Sequence, residues 1–210
     1  MAFVHLHTHS HYSLLDGLPK IKLLVNAAKA QGFSALALTD SGAMYGAIEF
    51  YQACQAEGIK PIIGFEAYIA PRGMDDKDPQ VDTDVHTLVL LAENYEGYKN
   101  LMTLCSLGHT RGYFHGKPRL DKATLAAHAA RIIALSGDIR GEVPGLLKAG
   151  KTLEARQAAR EYRDIFGAEN FYLELQKHID VPPQEVVNPK LIKLSKKIGL
   201  PLVATNDNHY

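Results

Sequence analysis

Short apolar runs alternate with amphipathic stretches along most of the chain, and three of those stretches end in a glycine just ahead of the next run, at Gly32, Gly58 and Gly199. No other feature limits the fold as much. A glycine enters the left-handed region without a Cβ clash, so it suits the position just past a helix. Strands that alternate with helices argue for βαβ units and a largely parallel sheet. Seven runs are expected as strands: residues 3–7, 35–39, 61–68, 86–92, 131–136, 171–176 and 201–205. Between them, Ile21, Leu24, Val25 and Ala28 recur at helical spacing behind Pro19. Helices are also expected over residues 45–57, 95–107, 153–166 and 188–198. Apolar strands covered by helices form either a closed barrel or an open sheet, and the pattern alone permits both.

At 210 residues the chain suits one large domain or two small ones, and single α/β barrels reach this size. Hydrophobic residues make up 46% and charged residues 22%, enough for a sizeable core. The 23 basic residues balance 23 acidic ones. Nonspecific DNA binding is mostly phosphate neutralisation, so a neutral chain grips DNA only through local basic patches or another domain. Two cysteines, Cys54 and Cys105, make no disulfide framework, and a reducing, cytoplasmic setting is expected. The first residues lack the basic and apolar regions of a signal peptide, and no run of 18 apolar residues exists, so neither a leader nor a membrane span is expected.

Two stretches break the rhythm. Residues 73–84 are acidic, contain a proline and are expected as a solvated surface loop. Residues 108–122 mix glycine, aromatic and basic residues. Within them Arg111, Lys117 and Arg119 are candidates for phosphate contact, with a plain surface loop as the alternative.

Histidines and carboxylates gather at the ends of the expected strands. In a parallel βα barrel the C-terminal strand ends share one face, and active sites sit there. Alternate side chains of a strand point the same way, so His5, His7 and His9 share a side. Two imidazoles at i and i+2 form a chelate for a transition metal, although taken alone this pattern also fits a solvated histidine patch. Asp16 follows within reach as an oxygen ligand. The last run ends similarly, with Asp207 and His209 at i and i+2. Between these ends lie Asp40, Glu66, His86, Asp138, Gln176 and His178. Glu66 stands inside an apolar strand, where metal ligation or pairing explains a carboxylate best. Convergent His, Asp and Glu groups mark a metal site.

These residues resemble the PHP domain family (polymerase and histidinol phosphatase). His7, His9 and Asp16-Gly17 match its first motif, Thr39-Asp40-Ser41 its Thr-Asp-His motif, and Asp207-Asn208-His209 its late Asp-x-His motif. The stretches FVHLHTHSHYSLLDG, MYGAIEFYQAC, GIKPIIGFEAYIAP, LLAENYEGYKNL and GLPLVATNDNHY look like the N-terminal domain of bacterial DNA polymerase III alpha subunits, and the similarity runs from Phe3 to Tyr210. The resemblance implies a distorted seven-stranded (β/α) barrel, TIM-barrel-like, filling residues 1–210 as one domain of a much longer polymerase. It implies up to three divalent ions held by His7, His9, Asp16, Glu66, His86, Asp138, Asp207 and His209, with Asp40, Ser41, Gln176 and His178 behind them. Histidine-rich ligation favours Zn, Mn or Fe over Mg.

Three positions depart from the family pattern. Ser41 stands where the family has His, Asp138 where it usually has Cys, and Thr87 where its strand-four His belongs. His86 lies one residue off, and a one-residue slip turns a strand side chain to the opposite face. The expected site is therefore partly eroded and holds fewer than three ions. The activity implied is metal-dependent removal of 3′ nucleotides within a replicative DNA polymerase. A catalytically silent structural module that docks a separate proofreading subunit is the alternative, and a stand-alone histidinol-phosphatase-like phosphoesterase is a third. The partners implied are DNA and the remaining polymerase domains, with no membrane.

Overall fold

The computed structural model describes residues 3–178 and 181–210. The chain order is α1 (Ile21–Ala30), β1 (Ala35–Leu38), α2 (Ala47–Glu57), β2 (Lys60–Ile69), β3 (His86–Ala92), α3 (Tyr95–Thr110), β4 (Tyr113–Phe114) and β5 (Lys117–Leu120). It continues with α4 (Lys122–Ala127), β6 (Ile132–Leu135), α5 (Glu142–Lys148), α6 (Thr152–Phe166), β7 (Phe171–Gln176), α7 (Pro182–Ile198) and β8 (Leu202–Thr205).

Local chemistry sets the helix ends. The Asn94 side chain accepts from the backbone N–H groups of Glu96 and Gly97 and starts α3. Asp121 caps α4 through the Thr124 N–H. Gly58 and Gly199 take left-handed φ values of 68° and 71° and end α2 and α7.

Six strands pair in the order β1, β2, β3, β6, β7, β8. The first segment completes the ring without forming a regular strand. Ala37 N donates to His5 O and Thr39 N to Thr8 O on one side. His9 N donates to Asn208 O, and Asn208 N to His7 O, on the other. Thr8 and Asn208 form an isolated parallel bridge. Seven staves result, at the seven expected positions. One apolar cluster takes side chains from all of them: Leu6, Ala37, Ile62, Val89 with Leu91, Ile133 with Leu135, Tyr172 and Val203. This cluster fills the barrel interior. A larger core lies outside the sheet under α3 and α5–α7, and a smaller one lies under α1 and α2.

Several expectations are corrected. The sheet is not all parallel, because β3 runs antiparallel to both β2 and β6. A parallel return needs a crossover of a dozen or more residues, usually a helix, whereas here a loop alone brings the chain back. His86 therefore opens its strand, paired with Ile69 at the end of β2. Residues 108–122 are not a plain loop: β4 and β5 form a hairpin there, and β5 extends β2 in parallel. The short helices α4 and α5 are additional, and α7 begins at Pro182 rather than near residue 188.

The acidic loop between β2 and β3 is pinned rather than free. Arg72 grips Asp82 bidentately, Nε to Oδ1 at 2.9 Å and Nη2 to Oδ2 at 2.5 Å, and Asp78 N donates to Oδ2 at 2.8 Å. The Arg72 hydrogen bonds hold the Asp82 carboxyl at about 2, against 3.8 for the free group. A carboxyl depressed on folding stabilises fully above its unfolded value, and that contribution disappears as pH falls through the folded value. The melting temperature of the unsubstituted protein is therefore expected to exceed that of Asp82→Asn at neutral pH, with the gap closing toward pH about 2. A gap that stays constant across that range would show that charge is not what pins the loop.

A candidate metal centre at the barrel mouth

Side-chain alternation carries acids from two staves, and a threonine from a third, to one end of the barrel. On β2, Ile62, Gly64 and Glu66 share the inward face, as do Tyr172 and Glu174 on β7 and Thr87, Val89 and Leu91 on β3. Glu66 and Glu174 are completely buried. Their counterparts come from the first segment and the loop after β8.

The imidazoles of His7, His9 and His209 converge on one carboxylate oxygen. Their Nε2 atoms lie 3.2, 3.1 and 3.0 Å from Asp207 Oδ1. His7 Nε2 is also 3.7 Å from Glu66 Oε1. The rings of His9 and His209 stack at 4.2 Å, and Asp16 Oδ1 lies 3.6 Å from His209 Nδ1. Two sets of ligand atoms fall within bonding reach of a common centre: His7, His9 and Glu66, and His9, Asp16 and His209.

The far nitrogens of the two buried rings are already engaged. His7 Nδ1 meets Glu174 Oε1 at 2.8 Å, and His9 Nδ1 meets Ser13 Oγ at 3.0 Å. Glu174 is itself fixed by Thr205 Oγ1 and by Gln176 Nε2 at 2.8 Å. Asp40 accepts from Ser10 N, Ser10 Oγ and Ser13 Oγ, so it shapes the turn that supports His9. Ser41 Oγ lies 3.3 Å from both His9 Nδ1 and Glu66 Oε2. Metal-binding histidines are oriented in this way, one nitrogen on a supporting acceptor and the other turned to the ion. The buried His7 Nε2 and His9 Nε2 face carboxylate oxygens without a well-aligned hydrogen bond, which fits nitrogens turned to a metal.

The electrostatics follow from this crowding. Burial alone would push the His7 imidazole down, but Glu174, Asp207 and Glu66 overcome it and raise its pKa to about 10. Burial raises Glu66. Burial also opposes ionisation of Asp207, yet the His209 hydrogen bond and the His9 and His7 rings hold it below the usual carboxylate range. An acid-rich pocket of this kind takes up a cation readily, and metal binding there displaces protons.

The other expected residues divide. Asp138 lies at the mouth, but Thr87 Oγ1, Arg140 N and Arg140 Nε all donate to it. His86 lies outside the cluster: Thr87 takes the inward face of β3, and the His86 ring turns to Arg140 O instead. His178 and Gln176 line a cavity of about 310 Å³ beside Asp207 and His209. The expected phosphate contacts do not form a patch. Arg111 pairs with Asp75, and Lys117 sits 5.6 Å above the Tyr68 ring. Arg119 is completely buried and donates to the carbonyls of Gly112, Met74, Asp76 and Asp82, so it is a structural clamp. Glu174 and Arg140 escape the sequence reading, although Glu174 carries the signal that marks Glu66, a carboxylate inside an apolar strand.

Among the described residues, no helix is long and apolar enough to cross a membrane. The chain is 46% identical over 211 residues to the DNA polymerase III subunit alpha of Treponema pallidum, covering 100% of this chain and 18% of that protein. It is 40% identical to the corresponding subunit of Aquifex aeolicus, covering 99% of this chain and again 18% of the relative. The chain thus spans about a fifth of the length of the curated relatives it matches. An amidohydrolase from Chromobacterium violaceum, solved with bound sulfate and no metal, shares the fold at a TM-score of 0.60 and 16% identity, over 99% of this chain and 88% of that one. The PHP domain profile matches residues 5–178, and the chain belongs to the PHP domain family.

Proposed function

We propose that residues 1–210 form the N-terminal PHP domain of a replicative DNA polymerase of the polymerase III alpha type, with a metal-dependent phosphoesterase site of reduced ion count. The observation that carries this reading is the approach of three imidazole Nε2 atoms to Asp207 Oδ1 within 3.2 Å. His7, His9, Glu66 and Asp207 would hold an ion on the buried side, and His209 with Asp16 would complete the outer side. Three imidazoles favour Zn or Mn over Mg. Bound there, the metal supplies Lewis-acid polarisation of a phosphoryl group. The chain's own contribution is orientation: Glu174 and Ser13 set which nitrogen of His7 and His9 faces the site, and Asp40 holds Ser13. In the longer protein the substrate would be a 3′ nucleotide of DNA, the partners the other polymerase domains, and the setting the cytoplasm.

A second reading is favoured by Ser41 and Thr87, whose hydroxyls are poor metal ligands where the family has imidazoles. In that reading the domain braces the polymerase and docks a separate proofreading subunit without catalysis. Two measurements on the full-length protein decide between them. The first reading expects at least one tightly held ion per chain and Mn-dependent release of 3′ nucleotides. It also expects Mn²⁺ at about a hundredfold its Kd to stabilise the EDTA-treated protein by about 2.7 kcal/mol, read from its unfolding. Less than one ion per chain, together with no Mn-dependent nuclease, would favour the docking role.

A further inference from the structure

The loop after β6 sets a permanent cation against the acid cluster, at its solvent edge, with the Arg140 side chain 46% exposed. Arg140 donates from Nε to Asp138 Oδ2 at 3.0 Å and from Nη2 to Glu66 Oε1 at 3.3 Å, while its backbone N–H donates to Asp138 Oδ1 at 2.9 Å. The guanidinium therefore spans two carboxylates, Glu66 on β2 and Asp138 in its own loop. Glu66 is completely buried and Asp138 is nearly so, and buried carboxylates are costly unless a cation neutralises them. The neutral groups beside the pair offer an ion little. Ser41 Oγ lies near Glu66 Oε2, and Thr87 Oγ1 is already donating to Asp138 Oδ1. A guanidinium is always charged, and its planar fork matches carboxylate geometry.

We propose that the Arg140 guanidinium is a built-in replacement for one divalent ion. It closes the Glu66–Asp138 half of the mouth to metal and confines ion uptake to the half formed by His7, His9, Asp207 and His209. Glu66 lies on the border and serves both halves. This deepens the metal-binding reading above and rests on it. It also gives the departures at Ser41, Thr87 and Asp138 a common physical account, since a tethered cation needs no imidazole or thiolate donors.

The test counts Mn²⁺ bound per chain in the full-length protein by equilibrium dialysis. Arg140→Gln is expected to bind one ion more than the unsubstituted protein, and Arg140→Gln/Asp138→Asn is expected to lose that gain. Equal, non-zero counts in the unsubstituted protein and Arg140→Gln would overturn this inference and leave the metal reading standing. No ion in either would overturn both. Should Arg140→Gln fail to fold, crystals of the unsubstituted protein soaked in Mn²⁺ decide. An anomalous peak at His7, His9 and Asp207, with none between Glu66 and Asp138, supports the inference. A peak bonded to both Glu66 and Asp138 overturns it, and no peak at either place overturns both readings.

Discussion

Arg119→Met is expected to destabilise the fold by about 3–5 kcal/mol, because it strips the donor from several backbone carbonyls at once. The Arg119 side chain is completely buried, and its donors reach four backbone carbonyls: Gly112 at 3.1 Å, Asp82 at 3.0 Å, Met74 at 3.2 Å and Asp76 at 2.8 Å. Three of those carbonyls belong to the loop between β2 and β3 and the fourth to the turn before β4, so one side chain ties both to the barrel wall. Its guanidinium also lies 4.7 Å from the centre of the Phe114 ring. Methionine fills similar space but donates nothing. Each buried carbonyl left unpaired costs about 1–3 kcal/mol, less where the surface loop relaxes toward water. For a chain of this length the expected fall in melting temperature is on the order of 10 °C. Arg119→Lys should recover only part of the loss, since an ammonium cannot hold the planar fork. A change below about 1 kcal/mol in urea unfolding would mean that the loop carbonyls find water without Arg119.

The contrast between Arg119 and Glu66 shows what kind of information the sequence carries. The seven staves are legible because apolar period and glycine stops are local signals, each confined to a short stretch. Strand direction is not local. Nothing within residues 86–92 states that β3 runs backwards; that follows from a loop without a crossover helix between β2 and β3. The hairpin of β4 and β5 hides for a related reason, because its strands are too short to show a period of two. At the site, the i, i+2 pairs at His7 with His9 and at Asp207 with His209 are visible, as is the parity that turns Thr87 inward and His86 outward. Glu174 is equally visible in the apolar run FYLELQ by the criterion that singles out Glu66. Arg119 misleads because a basic residue beside glycine and proline reads as surface, and only tertiary packing over the loop between β2 and β3 buries it. The Arg140 bridge is non-local altogether, since it joins positions 74 residues apart in the chain.

His7→Leu should remove metal binding and fold stability together, and the two losses are separable. The imidazole faces three carboxylates: Glu174 at 2.8 Å through Nδ1, and Asp207 at 3.2 Å and Glu66 at 3.7 Å through Nε2. Leucine abolishes a metal donor, so tight Mn²⁺ binding by the centre should be lost. In EDTA, where metal plays no part, the same change strands the buried Glu174 carboxylate. Gln176 and Thr205 still donate to that carboxylate, but its charged partner is gone, and breaking a buried pair in this way costs about 3–5 kcal/mol. Replacing both members with apolar residues removes the stranded charge. His7→Leu/Glu174→Leu is therefore expected to be destabilised by less than the sum of the single changes, and a double-mutant cycle measures the difference. The sign with pH follows from the same pair. His7 pairing keeps the Glu174 carboxyl below its usual value against the opposing effect of burial. In His7→Leu that carboxyl rises instead, so acidification toward its pKa neutralises it and narrows the gap to the unsubstituted protein. Strict additivity in EDTA, with a gap that does not respond to pH, would show that Glu174 does not depend on His7 and would remove the support assigned to it behind the metal ligand.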